Sequence, residues 1–511
     1  MLPLWLRDCY VCEANGLDKE GVRDKMKRRT ALGLIVLGGA GAAITTRFAV
    51  SRGRPTGHGS AITVPRFELP LKIPPVLDPT RRTETQDEYD IVQREAEQEI
   101  LPGRTTKIWG YQGLFPGPTL RVRRNRVAVV RHTNRLSTHT VVHLHGGVTP
   151  ADSDGFATDM VMPGESRTHI YPNRQRACTL WYHDHAMDRT GENIYRGLAG
   201  FYIIDDEEEL ALPLPRGAFD VPLLLQDRTF NGDGSLHYDT GGHMGFEGDV
   251  MLVNGVPWPR MEVSTGKYRF RVLNGSNARL FQLALSNGAP LTLIRTDGGL
   301  LTEPVLVKTL PLAMAERAEI IIDFNRYEIG TKIFLLNTRE KRELAQLMRF
   351  DVVKRESDDA QIPSRLTDPG FLDRPKNAKT RSWEFRANFN RSEGWPPIMW
   401  TINGKRFDPD RSDGNVILGE IELWRFRNEG FLFLGRPHPA HVHLGHFQIL
   451  ERNGKPPLLH ERGWKDTVAL DKGEEVLVMI RFEQFRGRYM LHCHNLEHED
   501  HAMMSCFDVS S

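Results

Sequence analysis

Residues 254–274 read NGVPWPRMEVSTGKYRFRVLN, and this stretch decides the fold class. After a turn signal of Asn, Gly and Pro, the run KYRFRVLN at 267–274 alternates aromatic or aliphatic side chains with Lys267, Arg269 and Arg271. A period of two is typical of a β-strand that buries one face. We therefore predict a strand here, with the basic side chains on its exposed face.

The same pattern occurs three times along the chain. Residues 112–134 (QGLFPGPTLRVRRNRVAVVRHTN) and 403–428 (NGKRFDPDRSDGNVILGEIELWRFRN) also begin with Gln-Gly or Asn-Gly and end an alternating run with Asn. The starting positions Gln112, Asn254 and Asn403 are 142 and 149 residues apart, which is too long for solenoid repeats and indicates three whole domains. With 46 Gly, 31 Pro and few helical patterns, these domains are predicted to be all-β, antiparallel sandwiches or barrels.

Two connecting segments separate the predicted domains. Residues 205–220 (DDEEELALPLPRGAFD) are acidic and then rich in proline, and residues 354–380 are charged with scattered proline, as linkers often are. We name the domains the first, middle and last repeat. Their predicted bounds, after an N-terminal extension at 1–60, are 61–205, 206–375 and 376–511.

Histidine is distributed very unevenly. Random placement of the 19 histidines would give about 0.7 His-x-His pairs, whereas the chain has four: His143/His145, His183/His185, His441/His443 and His492/His494. Two pairs fall in the first repeat and two in the last, while the middle repeat has only His237 and His243. The pattern predicts a metal site where the first and last repeats meet, with the middle repeat as a spacer or wall.

The four pairs can supply more ligands than one ion needs. On a strand, residues i and i+2 point to the same face about 6.6 Å apart, so each pair can direct two imidazoles into one pocket. Eight imidazoles exceed the four ligands of a tetrahedral zinc site and suit several ions that prefer imidazole. The scarcity of carboxylates inside these segments argues against magnesium and calcium.

The segment from His492 onward is more specific. Cys493 and His498, together with His438 and Met503, supply one thiolate, two imidazoles and one thioether, which is the ligand set of a blue-copper site. Along an extended strand, the neighbours of Cys493 point away from the face that the sulfur uses. One copper would therefore lie on one side of this strand and further ions on the other, joined by a few covalent bonds.

Four motifs resemble the copper-binding motifs of the multicopper oxidases. They are HLHGG at 143–147, WYHDHAM at 181–187, HPAHVH at 438–443 and HCHNLEHEDHAMM at 492–504. The resemblance extends over roughly residues 62–511 and is strongest to the branch that contains bilirubin oxidases and spore-coat laccases. It implies three cupredoxin-like domains, four copper ions, and a reaction that couples one-electron oxidation of a small-molecule reductant to four-electron reduction of dioxygen to water.

The resemblance also assigns ligands by position. It gives the type 1 copper to His438, Cys493, His498 and axial Met503, and the type 2 copper to His143 and His441. It gives the type 3 copper pair to His145, His183, His185, His443, His492 and His494. Two acidic residues, Asp154 and Glu499, match the family's proton donors to the oxygen site, although Asp154 lies in DSDG, which also suits a turn.

The leading hypothesis is a laccase-type oxidase of phenols, aminophenols or bilirubin-like tetrapyrroles. Arg436 stands where some bilirubin oxidases have Trp, which argues against a surface specific for bilirubin, and the Met-rich insert of cuprous oxidases is absent. Residues around 354–380 and 455–463 are candidates for the substrate mouth.

Three alternative functions are considered from the residues near the motifs. An oxidase of Mn(II), Fe(II) or Cu(I) would need carboxylates beside the type 1 histidines, and Glu497, Glu499 and Asp500 lie nearby. A copper-binding or coat protein without turnover is disfavoured by the complete ligand set. A zinc hydrolase leaves the sulfur ligands unexplained.

Other residues near the motifs are expected to have plainer roles. Five cysteines in 511 residues cannot form a disulfide scaffold, but Cys178 and Cys506 are candidates for one bond after export. Core packing is expected for Met187, Met504 and Trp181, and supporting or surface positions for His446 and His501.

Charge and hydropathy exclude two classes of protein. With 67 basic and 66 acidic side chains, the chain lacks the basic field that a nucleic-acid partner requires. No apolar run reaches the roughly 20 residues of a membrane span, so membrane insertion beyond an N-terminal anchor is not expected. We expect a monomer.

The N-terminal extension resembles an export signal. Lys27, Arg28 and Arg29 precede an apolar stretch at 31–44, as in twin-arginine signals that export folded proteins to the periplasm or the medium. An uncleaved anchor is the alternative. Met26 is a candidate true start, which would place Cys9 and Cys12 outside the protein; otherwise these two cysteines are a weak candidate for a redox or metal pair.

Overall fold

The computed structural model describes residues 64–239, 244–390, 398–430 and 436–511. The expectations for the N-terminal extension, including Met26 and the Cys9/Cys12 pair, lie outside these residues, as does His243. Within the described ranges, no helix is long and apolar enough to cross a membrane.

Strands dominate the described part of the chain. Thirty-three strands form six sheets, and the α-helices among them are short: α1 (Thr190–Arg196), α2 (Glu207–Ala211) and α3 (Leu496–Asp500). The all-β prediction is confirmed.

The first repeat forms two sheets that enclose a core around Tyr111 and Leu180. Its strands are β1 (Arg81–Arg82), β2 (Gln86–Gln98), β3 (Thr106–Tyr111), β4 (Leu120–Arg123), β5 (Val127–Asn134), β6 (Val142–His145), β7 (Ser166–Tyr171), β8 (Cys178–Asp184) and β9 (Ala199–Asp205). One sheet has the order β1-β2-β5-β7 with β3 also paired to β2, and the other has the order β4-β9-β8-β6.

The middle repeat has the largest apolar core, around Phe270 and Leu293. Its strands are β10 (Asp220–Phe230), β11 (Leu236–His237), β12 (Val250–Val253), β13 (Val256–Pro257), β14 (Arg260–Ser264), β15 (Lys267–Asn274), β16 (Phe281–Leu285), β17 (Leu291–Thr296), β18 (Gly299–Val307), β19 (Leu310–Leu312), β20 (Arg317–Asp323), β21 (Lys332–Asn337) and β22 (Gln346–Lys354). They form sheets β13-β12-β10-β15-β20-β17-β18, with β11 on β10, and β14-β22-β21-β16-β19.

The last repeat repeats this plan around Trp424 and Val478. Its strands are β23 (Lys379–Phe389), β24 (Ile398–Ile402), β25 (Gly414–Ile417), β26 (Ile421–Asn428), β27 (His438–Val442), β28 (Phe447–Arg452), β29 (Trp464–Lys465), β30 (Thr467–Leu470), β31 (Glu475–Arg481), β32 (Gly487–Cys493) and β33 (Met504–Ser510). The sheets have the orders β24-β23-β26-β31-β28-β29 and β25-β33-β32-β27-β30.

The repeated Gln-Gly or Asn-Gly signal is a turn with a left-handed backbone. Gln112, Asn254 and Asn403 have φ of 57°, 51° and 52°, and the glycine after each also has positive φ. Two successive residues with positive φ match the right-handed twist of the flanking strands in a tight hairpin, and Asn-Gly adopts this conformation most readily. In the middle repeat, the turn joins β12 to β13.

The prediction that β15 buries only one face is wrong. Arg269 and Arg271 are 3% and 0% exposed, like the apolar side chains between them. Their guanidinium groups form ion pairs with carboxylates from β10, β20 and α2, namely Asp220, Glu319 and Glu209. The second face is therefore buried because acidic residues distant in the sequence neutralise its charge, including Glu209 of α2 in the predicted linker at 205–220.

The candidate disulfide does not form. Cys178 and Cys506 are both free thiols. Cys178 packs in the core of the first repeat, whereas Cys506 packs against Met490 and Met504 of the last repeat. Burial raises the pKa of both thiols to about 12, which keeps them protonated and unreactive.

Candidate metal centre

Strand pairing brings the four His-x-His pairs to one place. In the first repeat, His143 on β6 lies opposite His183 on β8, and in the last repeat His441 on β27 lies opposite His492 on β32. The eight imidazoles converge where the two repeats meet, and each residue is at most 1% exposed. We call this group the histidine cluster: His143, His145, His183, His185, His441, His443, His492 and His494.

The histidine cluster contains three groups of ligand atoms, two of which share His145. One group is His185, His443 and His492, whose Nε2 atoms lie 3.2 and 3.1 Å apart across the pairs 185/492 and 443/492. The other two groups are His145, His183 and His494, and His143, His145 and His441. Nitrogens this close, drawn from both repeats, fit metal ions between them.

Backbone carbonyl groups fix the ring orientations. Nδ1 of His143, His183 and His441 lies 2.5, 2.8 and 2.9 Å from the carbonyl oxygens of Asp154, Asp184 and Asp466. When Nδ1 donates its proton, the lone pair of Nε2 points into the cluster, and Nε2 of all three rings has no hydrogen-bond partner. Buried nitrogens without partners are rare, so these atoms indicate ligands that are prepared for a metal.

Burial favours the neutral form of several imidazoles in the cluster. It lowers the pKa of His494 to about 3, and it lowers the pKa of His143, His145 and His441 well below the ordinary value. Only neutral imidazole binds metal, so the cluster needs no deprotonation near neutral pH.

A second, separate site surrounds Cys493. Its sulfur lies 3.3 Å from Nδ1 of His438 and 3.6 Å from Nδ1 of His498, and these two nitrogens are 3.2 Å apart. Met503 is fully buried beside them, and its backbone is hydrogen-bonded to both Cys493 and His498. Trp400 stacks on the ring of His498 at 3.7 Å between centroids. One thiolate and two imidazoles at this spacing fit a single copper ion.

Strand β32 connects the two groups of residues. Cys493 groups with His438 and His498, whereas its neighbours His492 and His494 belong to the histidine cluster. Adjacent residues on an extended chain point in opposite directions, so the cysteine and its peptide bonds form a short covalent path between the sites.

Two carboxylates flank the histidine cluster. Asp154 Oδ2 lies 2.7 Å from His443 Nδ1, and Glu499 Oε2 lies 3.0 Å from His492 Nδ1. Burial raises the pKa of Asp154 to about 6. Burial also acts to raise the pKa of Glu499, but its interactions with His492 and His185, which include a hydrogen bond from His492, outweigh burial and hold that pKa below its ordinary value.

A third carboxylate was not predicted from the sequence. Asp466 follows β29, and its Oδ1 lies 3.2 Å from Nε2 of His145. The sequence signal was weak, because Asp466 is a single acidic residue in the stretch WKDTVAL at 464–470 and lies outside the His motifs. His446 is also buried, with Nε2 3.7 Å from Oδ2 of Asp466, while His501 Nδ1 donates to the carbonyl oxygen of Glu497 at 2.6 Å.

The remaining residues near the motifs have structural contacts. Trp181 is buried with its ring 4.1 Å from that of His183, and Met187 and Met504 pack in one small apolar cluster. Arg436 is partly exposed and forms a 3.0 Å ion pair with Glu247 of the middle repeat.

Comparison with known families agrees with this geometry. Models of the family described as multicopper oxidase match residues 93–209, 192–348 and 374–511. The chain belongs to the multicopper oxidase family. Multicopper oxidases are oxidoreductases, so an enzyme with cupredoxin-like repeats, as expected from the motifs, is confirmed.

Individual multicopper oxidases are similar over most of the chain. A laccase of Bacillus subtilis is 36% identical, covering 88% of this chain and 99% of its own length. A bilirubin oxidase of Albifimbria verrucaria is 37% identical, covering 87% and 82%. The crystal structure of a laccase from Pediococcus acidilactici has a TM-score of 0.81 at 31% identity, covering 88% of this chain and 95% of that one.

Proposed function

We propose that this multicopper oxidase is a laccase-type enzyme that holds four copper ions. It oxidises phenols, aminophenols or bilirubin-like tetrapyrroles by single electrons and reduces dioxygen to two waters. The observation that supports it most is the pair of sites joined through one strand: a cysteine site for one ion and a buried cluster of eight imidazoles for several.

The ligand groups agree with the assignment by resemblance. The type 1 copper takes His438, Cys493, His498 and Met503, and the type 2 copper takes His143 and His441. The type 3 ions take one group each: His145, His183 and His494, and His185, His443 and His492. Copper held by these residues would supply one-electron transfer at the cysteine site and reduction of dioxygen at the histidine cluster.

The protein's own part is to isolate the histidine cluster and supply protons. The eight imidazoles are at most 1% exposed, so bulk water does not reach them directly. Reduction of dioxygen consumes protons, and the carboxylates of Asp154 and Glu499 are placed to pass them, at His443 Nδ1 and His492 Nδ1 respectively.

The metal-oxidase alternative has less support. Its three candidate carboxylates are all engaged inside the protein: Glu497 accepts hydrogen bonds from Tyr238 and Asn277, and Asp500 accepts two from backbone N–H groups of α1. Glu499 faces the histidine cluster. None of them is free to bind a metal-ion substrate beside the cysteine site, which favours an organic reductant.

We also propose that the enzyme acts outside the cytoplasm as a monomer. The basic residues at 27–29 and the apolar stretch at 31–44 support export through a twin-arginine signal. Processing of the precursor, followed by N-terminal sequencing of the exported form, tests this.

Copper reconstitution tests the catalytic proposal. We expect an intense red absorption band from the copper–thiolate bond, and oxygen uptake with a phenol and with bilirubin but not with Mn(II). Cys493→Ser should abolish the band and the uptake together, whereas Cys506→Ser, which removes another buried thiol, should retain both.

Each contrary result has a defined meaning. A red band without oxygen uptake from any reductant would leave a copper-binding protein without turnover. Uptake driven by Mn(II) alone would favour the metal-oxidase alternative. Turnover that survives in Cys493→Ser would contradict the electron path through the strand.

A further inference from the structure

A buried group of charges joins the middle repeat to the last one. Lys465 Nζ lies 2.8 Å from Asp297 and 3.1 Å from Glu316, and Arg317 forms an ion pair with Asp466. All five residues are more than nine-tenths buried. Buried ion pairs often contribute little net stability because desolvation offsets the attraction between the charges. Stability alone therefore does not account for this arrangement of charges.

Asp466 contacts two members of the histidine cluster. Its Oδ1 lies 3.2 Å from Nε2 of His145, and its carbonyl oxygen lies 2.9 Å from Nδ1 of His441. The two rings stack with centroids 3.6 Å apart and planes 13° from parallel. One residue thus holds a ligand from the first repeat against a ligand from the last, leaving His145 Nδ1 and His441 Nε2 without partners.

Arg317 of the middle repeat fixes the carboxylate of Asp466. Nη1 donates to Oδ1 at 2.8 Å and Nη2 donates to Oδ2, so the guanidinium binds both oxygens. Arg317 is itself held: its Nε donates to the carbonyl of Thr179 at 3.0 Å, and its backbone N–H donates to Asp297 at 2.7 Å. A bidentate arginine fixes the plane of a carboxylate, which a lysine ammonium cannot do.

The turn that follows His145 lies against the same ion pair. Gly146 has φ of +79°, and a Cβ atom there would lie 2.5 Å from Asp466 Oδ2 and 2.7 Å from Arg317 Nη2. All three repeats therefore meet at the Arg317–Asp466 pair, one residue from a ligand.

We propose that Arg317 is a positioning residue for the histidine cluster: through Asp466, the middle repeat fixes the orientation of His145 and His441. The middle repeat is then more than a spacer, although it contains none of the predicted ligands. This inference rests on the proposed copper function of the cluster.

Arg317→Met in the copper-loaded full chain tests it. We expect the red band to persist, because the Cys493 site has no contact with Arg317. Copper affinity at the histidine cluster should fall roughly 10- to 100-fold, as is typical when a residue that orients a ligand is removed. The type 2 copper signal in electron paramagnetic resonance should show altered hyperfine splitting, and Arg317→Lys should restore it only in part.

Arg269→Met is the matched control. Arg269 is equally buried and also pairs with two carboxylates, Glu209 and Glu319, but it contacts no member of the histidine cluster. Both variants should lose thermal stability, and only Arg317→Met should change the resonance signal and the copper content. Equal signals and equal copper in the two variants would overturn the proposal.

If Arg317→Met does not fold, Asp466→Asn replaces it, because this variant keeps the size of the side chain and removes its charge. An unaltered type 2 resonance signal in Asp466→Asn would overturn the proposal, and an altered signal would support it. A wild-type protein without a type 2 signal or oxygen uptake would instead defeat the proposed function.

Discussion

The pKa values of Asp154 and Glu499 are shifted in opposite directions, although both carboxyl groups contact the histidine cluster. The pKa of Asp154 is raised to about 6 by burial, so its carboxyl group exchanges a proton near physiological pH. The pKa of Glu499 is below its ordinary value because its interactions with His492 and His185 outweigh burial, so this group remains an ionised acceptor. We therefore expect Asp154 to release protons and Glu499 to accept them.

Replacing Glu499 should slow turnover without removing copper. In Glu499→Gln we expect kcat for a phenol to fall roughly 10²- to 10⁴-fold, the usual contribution of a positioned acid or base, while copper content and the red band stay unchanged. Oxygen uptake and its solvent isotope effect measure this. Glu497→Gln is the control, since Glu497 lies on the same helix α3 but bonds to Tyr238 and Asn277. A similar loss in both variants would argue against proton delivery by Glu499.

At the scale of elements, the turn after β6 determines how closely the first repeat approaches the Asp466 carboxylate. Gly146→Ala should weaken copper binding to the histidine cluster at least roughly ten-fold, because the added methyl group displaces Asp466 and with it His145. Gly164 also has positive φ, +88°, but a Cβ there meets nothing within 4 Å. Gly164→Ala should therefore show only the backbone strain, about 1–2 kcal/mol, with full copper content. Copper analysis and thermal unfolding distinguish the two, and equal copper loss would contradict the steric explanation.

Strand β15 makes the stability dependent on pH. Burial acts to raise the pKa values of Glu209 and Asp220, but the charges of Arg269 and Arg271 outweigh it and hold both below the ordinary range. A carboxylate whose folded pKa is below its unfolded value stabilises the fold above the unfolded pKa and loses this contribution as pH falls. The melting temperature should thus decline as pH drops below about 4.

Arg271→Met isolates this contribution. Breaking a buried pair should lower the unfolding free energy by about 3–5 kcal/mol at neutral pH, and the difference from wild type should shrink below pH 4. Calorimetry across pH 7 to 3 measures it. Arg131→Met, which breaks the exposed pair with Asp90, should shift stability by less than about 1 kcal/mol at any pH. A difference that does not change with pH would refute the linkage.

The sequence predicts the features of these elements that are determined by residues close together in the chain. The strand at 267–274 and the tight turns at Asn254 and Asn403 are predictable because alternation and Asn-Gly act within a few residues. The ligand groups are predictable because His-x-His spacing on a strand is typical of metal ligands. The buried face of β15 and the role of Asp466 are not, since their partners lie in other strands and other repeats.

At the scale of the whole molecule, bound copper should hold the first and last repeats together. The ligands converge only in the folded chain, so ions bind the native state and stabilise it by mass action, about 4 kcal/mol when free copper is 1,000 times its Kd. Removing copper with a chelator should lower the melting temperature by on the order of 10 °C.

Restoring copper should recover the lost stability. Calcium should not, because the sites offer imidazole and thiolate rather than oxygen ligands. Scanning calorimetry of the loaded, stripped and reloaded enzyme measures this. An identical melting temperature in all three states would show that the repeats are joined without the ions.

His185 and His492 are 307 positions apart, yet their nitrogens nearly touch. A nascent chain that has emerged only through the middle repeat has half of the cluster and none of the cysteine site, so none of the described ligand groups is complete in it. We therefore expect complete loading of the site with metal to follow the completion of synthesis.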